Sequence, residues 1–268
     1  MEDRKINGKN TYRGVRLKTR LDELYEKYNH REFVHPDPLE FLYRYGDLRD
    51  REIAGLVSSS LAYGRVAQIL KSVDIVLEKM KPSPYRFLLG TGTGHLEACF
   101  EGFKHRFTTG SEIAGLLTAA GKMIRDFGSL NSAFLENYNS GDDNIIPASL
   151  GFCENFSIFS KNSCCSLIPS HKGGSAFKRL NLFLRWMIRD DNVDPGGWKG
   201  IPASKLIVPL DTHMHRISLR LGLTERKQAD IKTAVEITES FKIIEKNDPI
   251  RYDFALTRIG INNLPEEL

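Results

Sequence analysis

Hydrophobic residues recur at helical spacing along most of the chain. Apolar stripes at intervals of three and four positions run through residues 14–29, 66–80 and 113–127. This spacing places apolar side chains on one face of a helix, so we expect an all-α protein of about ten helices. Strand-like alternation is scarce. Residues 205–209 form the one segment that we read as extended, because Pro209 disfavours helix at the residue before it.

Individual residues indicate where some of these helices begin and end. Ser111 is a candidate N-cap for the helix over 113–127. Near the end of the chain, Asp248 and Pro249 resemble an N-cap followed by proline at the first helical position, and Gly260 suits the position after a helix end. Three stretches interrupt the helical pattern with proline, glycine or polar runs: 81–110, 139–147 and 190–209.

Composition narrows the class of protein. The chain has 268 residues, of which 41% are hydrophobic, enough for a sizeable core in one large or two small domains. We expect no transmembrane helix, because no long apolar run occurs. The first residues do not resemble a secretory signal, so we expect a cytoplasmic location. The four cysteines fit no zinc or iron–sulfur spacing, and we expect no metal and no cofactor.

The formal net charge is only +4, but the cations are unevenly distributed. Five basic residues and no acidic residue occur from Lys172 to Arg189, and the turn Gly173–Gly174 precedes Ser175 at the start of a predicted helix. Free backbone N–H groups and the helix dipole attract phosphate at such a position, and glycines allow close approach. The segment is typical of a helix-hairpin-helix motif that binds the phosphate backbone of a nucleic acid. The alternative is an ordinary turn with a solvated basic face.

A second motif, VPLDTHMHRI, places Asp211 at the start of another predicted helix. An aspartate at this position has N-capping as its simplest role. His213 and His215 lie two positions apart, so they diverge on a helix and cannot chelate a metal from one face. We therefore expect core or hydrogen-bonding histidines, and we expect no metal here.

These motifs resemble those of the helix-hairpin-helix DNA glycosylases, the superfamily of endonuclease III and 8-oxoguanine glycosylase. VPLDTHMHRI is similar to the superfamily signature around its catalytic aspartate, and the Lys178–Asn181 segment resembles the motif that follows the hairpin. Residues 53–60 and 254–260 are similar to two further helices of that fold. The chain also resembles a group of uncharacterised bacterial proteins that share HPDPLEF, AYGR, HRF and VDPGGW motifs.

The resemblance implies roles for individual residues. The catalytic lysine falls on Lys178, with Lys172 as its rival because the hairpin glycines are spaced differently here, and the catalytic aspartate falls on Asp211. The implied DNA-binding residues are Lys172, Gly173, Gly174, Ser175, Arg179, Arg65 and Asn181. The implied pocket residues are Tyr63, Trp198, His213 and His215. The iron–sulfur cluster of the endonuclease III branch has no counterpart.

The roles of two further motifs are not decided by the sequence. Residues 103–107 (FKHRF) combine cations with aromatic residues, which suits either stacking on nucleic acid or a packed turn. Residues 194–198 lie between Lys178 and Asp211 in sequence, and we expect them at the rim of the pocket.

The resemblance implies an all-α fold of two helical domains with a cleft between them. Residues 30–189 would carry the hairpin, and residues 1–29 with 190–268 would carry the Asp211 helix. The implied function is a base-excision DNA glycosylase, with or without lyase activity, that binds DNA through its phosphates as a monomer. The alternatives are a non-catalytic protein that binds DNA or RNA structure, and an enzyme that acts on a nucleoside or modified RNA base.

Overall fold

The computed structural model describes residues 8–161, 163–164, 166–169 and 175–261, with only the helical backbone at 8–14 and 260–261. Its α-helices are, in chain order, α1 (Gly8–Tyr28), α2 (Leu48–Ser60), α3 (Val66–Glu78), α4 (Pro84–Gly90), α5 (Thr93–Cys99), α6 (Gly110–Phe127), α7 (Leu130–Leu135), α8 (Ile146–Phe159), α9 (Lys178–Ile188), α10 (Thr212–Leu221), α11 (Ile231–Ile244) and α12 (Asp253–Ile261). Short 3-10 helices occupy Arg31–Phe33, Pro38–Arg44 and Ala203–Lys205.

The prediction of an all-α protein is confirmed. Within the described ranges, the sheet structure consists of one small antiparallel hairpin, β1 (Lys104–His105) and β2 (Thr108–Thr109), besides isolated bridges. The segment predicted as extended is so only after Lys205, which ends a 3-10 helix. Val208 donates its backbone N–H to the Thr238 hydroxyl at 3.1 Å, so a helix side chain replaces a strand partner there.

Three predicted helix starts are wrong by a few residues, and one of them is that of α9, which begins at Lys178 rather than at Ser175. Helix α6 is capped by Thr109 rather than by Ser111, because the Glu112 carboxylate accepts the Thr109 backbone N–H at 2.9 Å in a capping box. Helix α12 begins at Asp253, not at Pro249. Residues 249–252 form turns instead, and the Asp248 carboxylate accepts hydrogen bonds from Arg189.

Close packing of α2 against α9 fixes where the candidate site lies. Gly55 is at the crossing of the two helices, where a Cβ atom would lie 3.3 Å from both the Met187 sulfur and the Phe183 ring. The missing side chain therefore lets the helices approach closely. Helix α10 packs on α12, which in turn contacts α1. The ion pair between Arg185 and Asp253 joins α9 to α12.

Candidate functional site

Asp211 is fixed by the helix that it begins. Its backbone is extended, and its Oδ1 accepts the backbone N–H groups of His213 and Met214, each at 2.9 Å. These are two of the donors that a helix leaves without partners at its first turn. The capping role expected from the sequence is therefore present, and it leaves Oδ2 to face another group.

That other group is Lys178. Its Nζ lies 3.2 Å from Asp211 Oδ2, and the two side chains keep 34% and 26% of their surface exposed. Lys178 is the first residue of α9, where a cation opposes the helix dipole rather than complementing it. The contact with Asp211 compensates for that position. The structure thus brings together the two residues to which the sequence assigned catalytic roles.

The pKa of Asp211 lies below its ordinary value. Burial on its own raises the pKa, but the Lys178 ammonium, the Met214 backbone N–H and His213 outweigh burial and lower it. The carboxylate is therefore ionised at neutral pH. Chemically, the pair provides a fixed negative charge beside a primary amine that solvent can reach.

The Arg179 guanidinium is engaged within the protein. Its guanidinium donates to the Ser60 carbonyl at 3.0 Å and to the Ser166 carbonyl at 2.7 Å, and it lies 5.2 Å from the centre of the Tyr63 ring. Burial lowers its pKa. Arg179 therefore joins the end of α2 to the start of α9 and holds the neighbouring Lys178 in place.

Two other residues predicted to bind DNA shape the loop before α9. The Asn181 side chain is buried and donates to the Ala176 carbonyl at 3.1 Å. The Ser175 hydroxyl accepts the Phe177 N–H at 3.3 Å, and the Ser175 backbone bridges to Asp230. Phe177 has a φ of 53°, a left-handed conformation that turns the chain into the helix. Lys172, Gly173 and Gly174 lie outside the described residues.

Arg65 and Tyr63 lie at the corner between α2 and α3. Arg65 is exposed at the N-cap of α3 and forms no side-chain cap. Tyr63 is half-buried, and its hydroxyl donates to the His105 carbonyl at 2.9 Å and contacts the Thr108 hydroxyl at 2.7 Å. Tyr63 thus binds the β1–β2 hairpin to this corner.

The remaining pocket candidates differ in burial: the two histidines are at least partly exposed, whereas the tryptophan is in the core. His213 is exposed and accepts from Arg216 at 3.0 Å, whereas His215 is half-buried and donates to the Arg226 carbonyl at 2.8 Å. Trp198 is only 3% exposed. It lies among core aromatic rings rather than in a pocket: Phe134, Phe152 and Phe183.

The basic stretch is not one continuous surface, because Arg185 and Arg189 lie in the interior. The Arg185 guanidinium donates to Asp194 at 2.9 Å and to Asp253 at 2.5 Å. Arg189 donates to Asp194 and, at 2.9 Å, to Asp248. Asp194 follows these arginines closely in sequence, whereas Asp248 and Asp253 come from a distant segment. Asp194, expected at a pocket rim, is fully buried and links the two arginines.

Sequence reasoning missed this interior ion cluster. The signal was present in part, because α9 has a strong apolar stripe and Arg185 falls on it between buried residues. A cation on a buried face requires an anion from elsewhere in the fold. Among the described residues, no group of three or more histidine, cysteine, aspartate or glutamate side chains is placed to hold a metal ion. In the same part of the chain, no helix is long and apolar enough to cross a bilayer.

Comparison with protein families matches residues 37–262 to the family described as "Protein of unknown function (DUF2400)". The matched range includes both Lys178 and Asp211 as well as the β1–β2 hairpin. No curated protein matches the chain, and no solved structure matches it. Since the match covers most of the sequence, the chain belongs to the DUF2400 family.

Proposed function

We propose that this protein is a base-excision DNA glycosylase with lyase activity. The observation that carries the proposal is the 3.2 Å contact between Lys178 Nζ and Asp211 Oδ2 at the starts of α9 and α10. The sequence resemblance to the helix-hairpin-helix glycosylases implies this pair of residues. The contact supports that implication because two catalytic groups must reach the same sugar.

Asp211 would stabilise the sugar as the glycosidic bond breaks. Loss of a base from C1′ leaves positive charge on the sugar ring, and a nearby carboxylate stabilises that charge. The lowered pKa of Asp211 keeps it ionised, which suits this electrostatic role better than that of an acid. Its two backbone hydrogen bonds hold the charge in place before the substrate arrives.

Lys178 would form the covalent bond. After its ammonium proton has passed to water, the Lys178 amine attacks C1′ while the bond from C1′ to the base nitrogen breaks; the base takes that electron pair, and one proton of the secondary ammonium so formed is transferred to the base. Opening of the sugar ring then gives a Schiff base, which allows strand cleavage at the abasic site. Substrate has to enter between Lys178 and Asp211, and their partial exposure permits this.

DNA is the proposed partner, with the target base flipped out of the duplex. The cleft would lie between the segment 30–189, which supplies Lys178, and the remainder of the chain, which supplies Asp211. Arg65 is exposed and available for a phosphate. Arg179 and Asn181 would act indirectly, by fixing the start of α9.

The experiment measures release of bases from a panel of duplexes, each with one damaged or mismatched base. We expect wild-type protein to release at least one of them, and Asp211→Asn to slow that release about 100-fold or more. Asp47→Asn is the matched control, because Asp47 also caps a helix and also pairs with a cation, Arg49, at 2.7 Å. Base release by no duplex, or equal release by Asp211→Asn and wild type, would refute the assignment.

A further inference from the structure

The turn of the β1–β2 hairpin presents an aromatic ring to solvent. Arg106 and Phe107 are the two residues between the strands, and Phe107 is 79% exposed. Their neighbours His105 and Thr108 are both buried. An exposed side chain of this size on a short, defined turn is unusual, since Phe is among the residues most often buried.

The hairpin is rigidly anchored on both sides of this turn. Buried His105 donates from Nε2 to the Tyr63 carbonyl at 3.1 Å and accepts at Nδ1 from the Ser72 hydroxyl at 2.9 Å. Burial lowers its pKa, which favours the neutral ring that this pattern requires. The Tyr63 hydroxyl, in turn, contacts both strands of the hairpin. These hydrogen bonds fix the two strands, and the turn between them exposes the ring of Phe107 to solvent.

A glycine on the neighbouring corner makes room for the other turn residue. A Cβ atom at Gly64 would lie 2.8 Å from the Arg106 Cδ, and Gly64 has a φ of +98°. The Arg106 side chain therefore lies against the α2–α3 corner, with its guanidinium 5.6 Å from the centre of the Phe107 ring. Arg65, the next residue of that corner, is exposed as well.

The charges around the tip are suited to a polyanion. Arg106, next to Phe107, is exposed, as are Lys104 on β1 and Arg65 beside Gly64, whereas Glu97 and Glu101 lie with Lys104 in the groove at the base of the hairpin. A ring flanked by cations is the arrangement by which proteins stack on bases while they contact the backbone.

The hairpin is also connected to the candidate site. Tyr63 contacts both hairpin strands, and its ring lies against the Arg179 guanidinium. Arg179 directly follows Lys178 in sequence. Tyr63 therefore links the hairpin to the start of α9, where Lys178 lies.

We propose that Phe107 stacks on a base of duplex DNA beside the nucleotide presented to Lys178, while Arg65 and Arg106 contact phosphates. This inference rests on the proposed function, because it takes duplex DNA as the substrate. It adds a second contact that the proposed chemistry does not require. The ring replaces stacking that the DNA loses when a nucleotide leaves the helix.

The test uses the fluorescence of Phe107→Trp. Both native tryptophans, Trp186 and Trp198, are buried, so the new indole reports on the hairpin tip. Ile243→Trp is the matched control, because Ile243 on α11 is 88% exposed. Each variant is titrated with a duplex that contains a tetrahydrofuran abasic analogue, and binding is followed separately by the anisotropy of labelled DNA. The same titration is repeated with the corresponding RNA and with anionic phospholipid vesicles.

We expect the duplex to quench the emission of Phe107→Trp and to leave that of Ile243→Trp unchanged. We also expect Phe107→Ala to weaken duplex binding about tenfold and Ile243→Ala to leave it unaltered. Bound duplex without quenching, no binding of the duplex, or quenching by RNA or vesicles in place of DNA would each overturn the proposal. Base release is measured independently, so quenching without catalysis would refute the proposed enzyme function and leave the hairpin contact standing.

Discussion

Lys178 Nζ and Asp211 Oδ2 lie 3.2 Å apart, and the contact joins the first residue of α9 to the N-cap of α10. Each residue is held by its own helix start, so the pair is positioned by backbone rather than by a flexible loop. The carboxylate is ionised and two of its hydrogen bonds are already made. This preorganisation is what stabilisation of a developing positive charge requires.

Lys178→Gln is expected to lower the free energy of unfolding by about 1 kcal/mol or less, because partly exposed ion pairs contribute little to stability. Urea unfolding provides the measurement. Lys81→Gln is the control, since Lys81 forms an exposed pair with Glu78 at 2.6 Å. A loss several times larger than that of the control would mean that the Lys178–Asp211 pair is chiefly structural.

Glu52 is expected to make the protein less stable as the pH rises. The side chain is buried, and burial raises its pKa from 4.5 to about 7, although its carboxylate accepts the Asn131 N–H at 3.1 Å. The folded state therefore binds a proton more tightly than the unfolded state. The resulting stabilisation is complete below pH 4.5 and is lost as the pH rises through 7, on the order of 3 kcal/mol in total.

Unfolding free energies of wild type and Glu52→Gln between pH 4.5 and 8 test this expectation. The difference in unfolding free energy between the two proteins isolates the effect of Glu52 from that of other titrating groups. As the pH rises, Glu52→Gln should become more stable relative to wild type. Glu236 is exposed on α11, so the pH profile of the unfolding free energy of Glu236→Gln should be parallel to that of wild type. Parallel profiles for Glu52→Gln and wild type would contradict the raised pKa.

Arg185→Leu should be strongly destabilising. It would remove the guanidinium that pairs with the buried Asp253 carboxylate and would leave Asp194 with Arg189 alone, and removing one member of a buried pair costs about 3–5 kcal/mol. Arg44→Leu breaks an exposed pair with Asp74 and should cost about 1 kcal/mol or less. Thermal or urea unfolding compares the two variants. Similar losses in both would show that the interior cluster contributes no more than a surface pair.

Gly197→Ala should destabilise the loop that leads from α9 toward α10. Gly197 has a φ of +119°, and a Cβ atom there would overlap the Leu48 side chain. We expect a loss of about 2–4 kcal/mol from backbone strain and steric overlap together. Gly46→Ala, which meets no neighbouring atom within 4 Å, should change stability by about 0.5 kcal/mol or less. Equal stability of the two variants would contradict the described packing.

The fold class could be read from the sequence because helical periodicity is local. The helix start at Asp211 followed from a local motif, because an N-cap and the backbone groups that it binds lie within a few residues of each other. Lys178 was singled out by the family resemblance. Only the family resemblance predicted that Lys178 and Asp211 lie close together in space. Periodicity alone does not say which helix ends lie together.

Other features depended on partners far away in the chain. Arg185 and Arg189 read as part of a basic face, because Asp248 and Asp253 lie in a different segment. Trp198 follows a Pro-Gly-Gly turn and so resembled a loop residue, but positive φ values at Gly196 and Gly197 turn the chain back under α9. The apolar stripe of α9 indicated that Arg185 lies on a buried face, but the tertiary structure decided which residues pack against Arg185 and Trp198.

Borohydride trapping is the most direct test of the central claim. Wild-type protein is incubated with a duplex that contains an abasic site, reduced with borohydride, digested, and sequenced by mass spectrometry to locate the modified lysine. The account predicts a covalent adduct on Lys178, its loss in Lys178→Gln and its retention in Lys81→Gln. No adduct, or an adduct that persists in Lys178→Gln, would contradict it.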